Sequence, residues 1–297
     1  MNDYLLSLLL GIVEGLTEFL PVSSSAHLRI AEALLNVPLS SGYWKMYSIV
    51  IQLGAILVLP IYFRDRLARL FSTFPEGENK DCTVVTHPLS LVMIAFVVTA
   101  LPSYLLTKVI GKNLESLTLM GASLFIGGIV MWVIDAMKAP WEKAGPGASN
   151  SPIHTWKVEQ IHGGQALWIG ACQILSAVFP GTSRSMATIA AGQLAGMSRA
   201  AALEFSFFLS MPTMTAATLY ALFKSLSGKD ENPIGVANLT SHQWIILAIG
   251  FVISFIVAYA AVAWFMNWVR KRGFAPFAIY RIVVGAAVLA WATGLVG

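Results

Sequence analysis

An all-α polytopic membrane protein is predicted for this chain, built as an inverted-topology repeat of six transmembrane helices plus two re-entrant helical hairpins. Three observations predict it. Hydrophobic residues make up 57% of the chain and charged residues only 11%, against about 25% charged in soluble domains. The apolar runs have the length of spanning helices and lack the alternation of barrel strands. Two interruptions rich in Pro and Ser, at Pro21 and Pro180, carry most of the polar chemistry.

The elements follow in order. Apolar segments at roughly 4–20 and 22–37 flank Pro21 to Ser25, and each falls short of the ~20 residues of a span. Pro ends one helix and Ser caps the next. Non-helical backbone survives at membrane depth only where it is buried in protein or lines a cavity, so the pair reads as a re-entrant hairpin with a functional tip. Spans follow at roughly 46–63, 89–110 and 117–137. A second hairpin, roughly 165–179 and 185–197, flanks Pro180 to Ser185. Further spans lie at roughly 203–223, 243–268 and 276–296. The connections at about 64–88 and 138–164 contain Pro, Gly and charge and read as surface loops. Residues 1–297 are therefore expected to form a single transmembrane domain, with repeat one at about 1–140 and repeat two at about 160–297.

The hairpins resemble each other at an offset of 159: Gly11 meets Gly170, Glu14 meets Gln173, Thr17 meets Ser176, Pro21 meets Pro180 and Ser24 meets Ser183. Downstream, Gln52…Pro60 and Glu204…Pro212 share one spacing. One hairpin and three spans per half give an odd number of crossings, so the halves must be inverted, and such repeats place their site near the midplane. Arg64, Arg66, Arg69, Lys80, Lys138, Lys143, Lys157, Arg199, Arg270, Lys271 and Arg272 then share one side, and Lys45, Lys112, Lys224 and Lys229 the other. The richer side is expected to be cytoplasmic, with both termini outside. The Met1-Asn-Asp-Tyr start has no basic region and is not expected to head a removable signal peptide. Cys82 and Cys172 suggest no disulfide framework. A net charge of +4 with its cations in loops suggests topology and no nucleic-acid partner.

The polar clusters point to a phosphate site. Ionised groups at membrane depth cost several kcal/mol and are mostly functional. Glu14 and Glu18 project from one helical face; such a pair binds a cation or shares a proton, and with an incoming phosphate it suits Mg2+ or Ca2+. Ser23, Ser24 and Ser25 exceed what capping needs and start a helix whose N–H groups favour anions. His27 sits one turn on and is read as catalytic. Arg184, amid Pro180-Gly-Thr-Ser-Arg-Ser-Met-Ala-Thr188, offers a planar fork for phosphate oxygens. Gly181 permits close backbone approach, and Ser183, Ser185 and Thr188 supply donors. Asp135 and Arg281 read as interfacial residues near helix ends. Arg29 and Glu32 can pair on a helix face. Gln52 and Glu204 stand equally as supporting groups or as ordinary helix residues.

At these residues the chain resembles the bacterial undecaprenyl-pyrophosphate phosphatase family of the bacitracin-resistance type. The resemblance spans essentially the whole chain. It rests on Glu14-x-x-x-Glu18, Pro21-Val-Ser-Ser-Ser-Ala-His27, Pro180 to Thr188, Glu204-Phe-Ser-Phe and Phe277-Ala-Ile-Tyr-Arg281. Ala26 and Met186 replace glycines usual in the family.

The resemblance implies a multi-pass enzyme of the bacterial cytoplasmic (inner) membrane with its active site opening to the outer side. It would remove the terminal phosphate of a C55 polyprenyl pyrophosphate lipid and so regenerate the carrier for cell-wall synthesis. The expected mechanism has Ser24 attack phosphorus with Glu18 or His27 accepting its proton, or His27 as nucleophile. Arg184 stabilises the equatorial oxygens, and Glu14 and Glu18 hold a divalent cation. A homodimer stays open. An ion-coupled transporter or lipid flippase is the competing reading, since inverted repeats and a buried Glu pair suit it too. A phosphatidate-type phosphatase would need a Lys…Arg-Pro motif that the chain lacks.

Overall fold

Apolar helix makes up most of the described backbone, with longer connections outside α-helix at 73–87 and 145–162. The computed structural model describes residues 2–37, 42–78, 80–106, 116–226 and 239–294; Lys112 and Lys229 lie outside them. The helices are α1 (Asp3–Thr17), α2 (Ser24–Leu35), α3 (Gly42–Ile56), α4 (Val58–Tyr62), α5 (Arg64–Ser72), α6 (Pro88–Leu105), α7 (Leu117–Ala144), α8 (Gly163–Val178), α9 (Arg184–Leu194), α10 (Arg199–Leu226), α11 (Ser241–Arg272) and α12 (Ala275–Ala292). Among the described residues there is no strand, only an isolated bridge between Thr155 and Met197.

Among the described residues, six stretches are long and apolar enough to cross a membrane: Gly42–Tyr62, which joins α3 to α4, then Pro88–Leu105, Leu117–Ala144, Arg199–Lys224, Ser241–Arg272 and Ala275–Ala292. These match the six predicted spans. Helices α1, α2, α8 and α9 have 15, 12, 16 and 11 residues, all short of a full crossing. Both predicted loops need correction. The connection after residue 63 is not wholly loop: Arg64–Ser72 is helical, with Asp65 in its first turn and Arg69 in its last, a placement that complements the helix dipole, and α7 runs on to Ala144 inside the second connection.

Helix ends follow capping chemistry. The Asn2 side chain accepts from the Tyr4 N–H at α1, and Ser116 accepts from the Leu119 N–H at α7. At α8, His162 and Gln165 exchange reciprocal side-chain to backbone bonds. Each satisfies donors that a helix start leaves orphaned.

The chain divides into two compact units. The first comprises the described residues within 1–19, 24–62 and 210–263. Lipid supplies no hydrophobic drive between helices, so close packing of small residues must serve. Here α1 presents Gly11 and Gly15 to α11. A Cβ on Gly11 would lie 3.0 Å from the Gly250 carbonyl, and one on Gly15 would lie 2.7 Å from the Ser254 carbonyl. Ser254 Oγ donates to the Ile51 carbonyl at 2.7 Å, which ties α3 to the same seam. Ser7 Oγ donates to the Ile246 carbonyl at 2.7 Å, and Tyr47 Oη donates to the Ser7 carbonyl at 2.8 Å. Leu6, Leu10, Met46, Ile51 and Leu247 close an apolar core around these bonds.

The second unit comprises the described residues within 20–23, 63–209 and 264–297. Its α7 and α12 meet over glycines: a Cβ on Gly128 would lie 2.9 Å from the Ala278 carbonyl, and one on Gly285 would lie 2.5 Å from the Phe125 nitrogen. α8 lies on α6 through Gly170, whose carbonyl accepts from Thr99 Oγ1 at 2.8 Å. Edge-to-face aromatics, Phe265 on Phe274 and Phe277 and Phe63 on Phe208, fill the remaining core.

Candidate functional site

Within the first unit, Glu14 and Glu18 occupy the last turn and the C-cap of α1. Their side of the helix is held close to α11 by Gly11 and Gly15, so both carboxyls are buried, with Glu14 1% and Glu18 7% exposed. The two carboxyls interact with each other electrostatically and through a side-chain hydrogen bond. Ser24 opens α2, and its Oγ donates to Glu18 Oε2 at 2.5 Å. Ser24 and His27 are half-buried and Ser25 is exposed. The sequence-predicted Glu18 and Ser24 are thus brought into direct contact. On α2, Arg29 and Glu32 pair at 2.6 Å as their spacing suggested.

Within the second unit, residues 20–23 of the first break lie against the second break. Ser185 Oγ donates to the Leu20 carbonyl at 3.0 Å and lies 3.1 Å from Ser183 Oγ. Arg281 donates to the carbonyls of Pro21, Gly181 and Thr182, each at 3.0 Å. Gly181 sits at φ +90°, and a Cβ there would collide with the Met120 carbonyl, so only glycine fits the turn. Ser183 caps α9 by accepting from the Met186 N–H at 3.3 Å. Arg184 is the first residue of α9 and is half-buried. One turn on, Thr188 Oγ1 lies 2.6 Å from Ser206 Oγ on α10.

Both breaks share one backbone device. Ser23 (φ +74°) and Ser183 (φ +68°) adopt the left-handed region immediately before α2 and α9. Non-glycine residues seldom hold a positive φ, and Asn36, Lys80 and Asn150 share it elsewhere in the chain. The turns therefore correspond at an offset of 160, one residue more than the alignment on proline suggests. Ser24 and Arg184 are the matching first helical residues, because the turn after each proline, and not the proline itself, sets where the helix starts.

Two residues read as interfacial are interior. Arg281 is wholly buried, because the glycine contacts bring α12 tightly onto α7. Asp135, 2% exposed, pairs with Arg199 at 2.7 Å and accepts from the Phe274 N–H at 3.1 Å. Hydropathy could not find either, although Arg281 lies in the quoted Phe277 to Arg281 run. Glu204 pairs with Arg66 at 2.6 Å, and Arg66 also meets Glu159 at 2.5 Å. Gln52 accepts from Thr218 Oγ1.

The carboxylate pair fits a divalent cation in the chemistry of its donors. Glu14 offers two buried carboxyl oxygens beside Glu18, and hard cations take such oxygens. Among the described residues no group of three or more His, Cys, Asp or Glu converges on one point; a cation held here would draw its remaining ligands from phosphate and water.

A family model described as bacitracin resistance protein BacA matches residues 7–287. The undecaprenyl-diphosphatase of Koribacter versatilis (strain Ellin345) is 64% identical over 294 residues, covering 98% of this chain and 99% of that protein. That of Rhizobium etli (strain CIAT 652) is 41% identical over 292 residues, covering 98% of each. That of Xanthomonas oryzae pv. oryzae (strain PXO99A) is 38% identical over 300 residues, covering both chains fully.

Proposed function

Because this chain belongs to the bacitracin resistance protein BacA family, we infer that it is an undecaprenyl-diphosphatase: it cleaves the terminal phosphate from undecaprenyl diphosphate and releases undecaprenyl phosphate and inorganic phosphate. Its lipid substrate reaches it within the bilayer that the six apolar helices among its described residues can span.

The bond from Ser24 Oγ to Glu18 Oε2 carries the mechanistic reading. A hydroxyl hydrogen-bonded to a carboxylate is the nucleophile–base pair that phosphoryl transfer by a covalent route requires. Ser24 Oγ attacks the terminal phosphorus while its proton passes to Glu18. The bond from phosphorus to the bridging oxygen breaks, and undecaprenyl phosphate leaves. Once Glu18 has passed that proton to the leaving phosphate, water attacks the phosphorus of phosphoserine, Glu18 takes the proton of the water and returns it to Ser24 Oγ, and the bond from phosphorus to Oγ breaks to release inorganic phosphate. His27, one turn along α2, is the alternative proton acceptor or nucleophile. Arg184 neutralises charge on the equatorial oxygens through its fork, and the N–H groups at the start of α9 favour the same anion. Ser23 and Ser25, beside Ser24 in sequence, and Gly181, Ser183, Ser185 and Thr188, beside Arg184 in sequence, are the further residues we assign to head-group binding. Glu14 and Glu18 would hold Mg2+ or Ca2+, which when bound offsets the charge of the diphosphate.

The reading extends to an inverted repeat with α1–α2 and α8–α9 as re-entrant hairpins. A reciprocal contact supports it. Gly11 of α1 packs on Gly250 in α11, and its counterpart Gly170 in α8 packs on Ala95 in α6; each contact is made with the second span of the opposite half. On the strength of the cation-rich connections we put the Arg64 to Arg69 side in the cytoplasm, with the site opening to the outer side of the inner membrane.

Phosphate release from undecaprenyl diphosphate by the purified protein, with and without chelator, tests the whole. We expect turnover that falls at least about tenfold on chelation and returns with Mg2+ or Ca2+. Transport or flipping of intact lipid without phosphate release would replace this reading with a transporter.

A further inference from the structure

Arg281 lies within α12 with none of its side chain exposed. Its partners are main-chain carbonyls. Nη1 donates to Pro21, and Nη2 lies within bonding distance of Ser123 (3.2 Å), Gly181 (3.0 Å) and Thr182 (3.0 Å). Pro21 belongs to the first break, Gly181 and Thr182 to the second, and Ser123 to α7. The carbonyls at the breaks lie outside helices, and in a dry interior each needs a donor. One planar, five-donor side chain can serve both turns at once, which an ammonium on a flexible stem cannot do as rigidly. The berth is cut for it: a Cβ on Gly127 would lie 2.5 Å from Nη2 and 2.7 Å from Met186 Cε.

A buried cation costs several kcal/mol, more so at membrane depth. Satisfying carbonyls alone does not require a charge. A guanidinium that joins two separate irregular turns also fixes the distance between them, and each turn leads within three residues into a proposed reacting group: Pro21 into Ser24, and Gly181 into Arg184.

We propose that Arg281 is a positioning residue for the hydrolysis, its guanidinium clipping the Pro21 turn to the Gly181–Thr182 turn, the two turns that lead into Ser24 and Arg184. The proposal rests on the phosphatase reading. Arg281 touches no substrate in it. Loss of the clip lowers the rate of the chemical step more than it weakens capture of the lipid, whose long chain binds elsewhere.

Two variants of the full-length protein test it. Arg281→Met removes the donors and keeps the bulk. Gly127→Ala leaves Arg281 in place and displaces only the flexible ends of Arg281 and Met186, so it serves should Arg281→Met fail to fold. We expect kcat for undecaprenyl diphosphate to fall at least about tenfold in Arg281→Met and about threefold in Gly127→Ala, with KM within about threefold of wild type in each. Amide hydrogen exchange of the 20–24 and 181–185 peptides should rise in both, while that of α7 and α12 stays slow. Unchanged kcat in both folded variants, or a rise in KM alone, overturns the proposal, as does exchange that rises along the whole chain. A wild type that releases no phosphate sinks the phosphatase reading instead; exchange confined to the two turns would still report the clip.

Discussion

Ser24 Oγ donates to Glu18 Oε2 at 2.5 Å across the Pro21 break, joining the last residues of one helix to the first of the next. In the proposed mechanism this carboxylate accepts the hydroxyl proton as phosphorus is attacked. Glu18→Gln should therefore lower kcat about 10²- to 10⁴-fold, the usual worth of a positioned base, while the protein stays folded, because the amide keeps an acceptor for Ser24. Ser24→Ala should abolish trapping of a phosphoenzyme. Rapid-quench phosphate release checks the first variant. Acid-stable, base-labile label on wild type checks the second, and acid-labile label would transfer the nucleophile role to His27.

Arg184 starts α9 beside the Ser183 turn. Its role in the proposal depends on bidentate contact, and a lysine delivers the same charge from a single point. Arg184→Lys should lower kcat/KM by about 10²- to 10³-fold, far more than Lys-for-Arg exchange at an exposed site such as Arg64. Near-normal turnover in steady-state assays of Arg184→Lys would remove the guanidinium from the mechanism.

The α1 seam predicts a stability effect separate from chemistry. A Cβ on Gly15 would lie 2.7 Å from the Ser254 carbonyl and 3.0 Å from the Ala258 nitrogen. These are backbone atoms, and neither can rotate away. Gly15→Ala should therefore force α1 off α11 and destabilise by about 1–3 kcal/mol, read as a lowered Tm in detergent. Gly163→Ala, where an added Cβ meets nothing within 4 Å, is the matched control and should leave Tm near wild type.

Several features were legible because they violate lipid chemistry. Glu14, Glu18, Ser24 and Arg184 stand out in an apolar chain, and Pro21 and Pro180 mark breaks that the helix boundaries respect. What escaped depends on which face of a helix meets a neighbour. Arg281 and Asp135 look interfacial by position, yet the Gly128 and Gly285 contacts draw α12 onto α7 and bury both. The one-residue difference in register between the breaks also escaped, because a left-handed serine is not encoded by residue type as a left-handed glycine is. Helix α5 was missed because its short charged segment reads as a loop.

Arg66 joins Glu159 and Glu204, and this network gives stability a pH dependence. Burial alone would raise the Glu159 carboxyl, but the hydrogen bond and charge of Arg66 outweigh it and hold the group below the usual carboxylate range. A folded-state value below the unfolded one, about 4.3, means that the unfolded chain binds the proton first. The contribution is fully present above about pH 4.3 and is lost as pH falls through the depressed folded value. Glu159 remains partly exposed, so water screens the pair and the loss should be at most about 1 kcal/mol. Thermal unfolding between pH 7 and pH 3 should therefore slope less steeply at its acid end in Glu159→Gln than in wild type. Equal slopes for the two proteins would show that the Arg66 fork contributes no proton-linked stability.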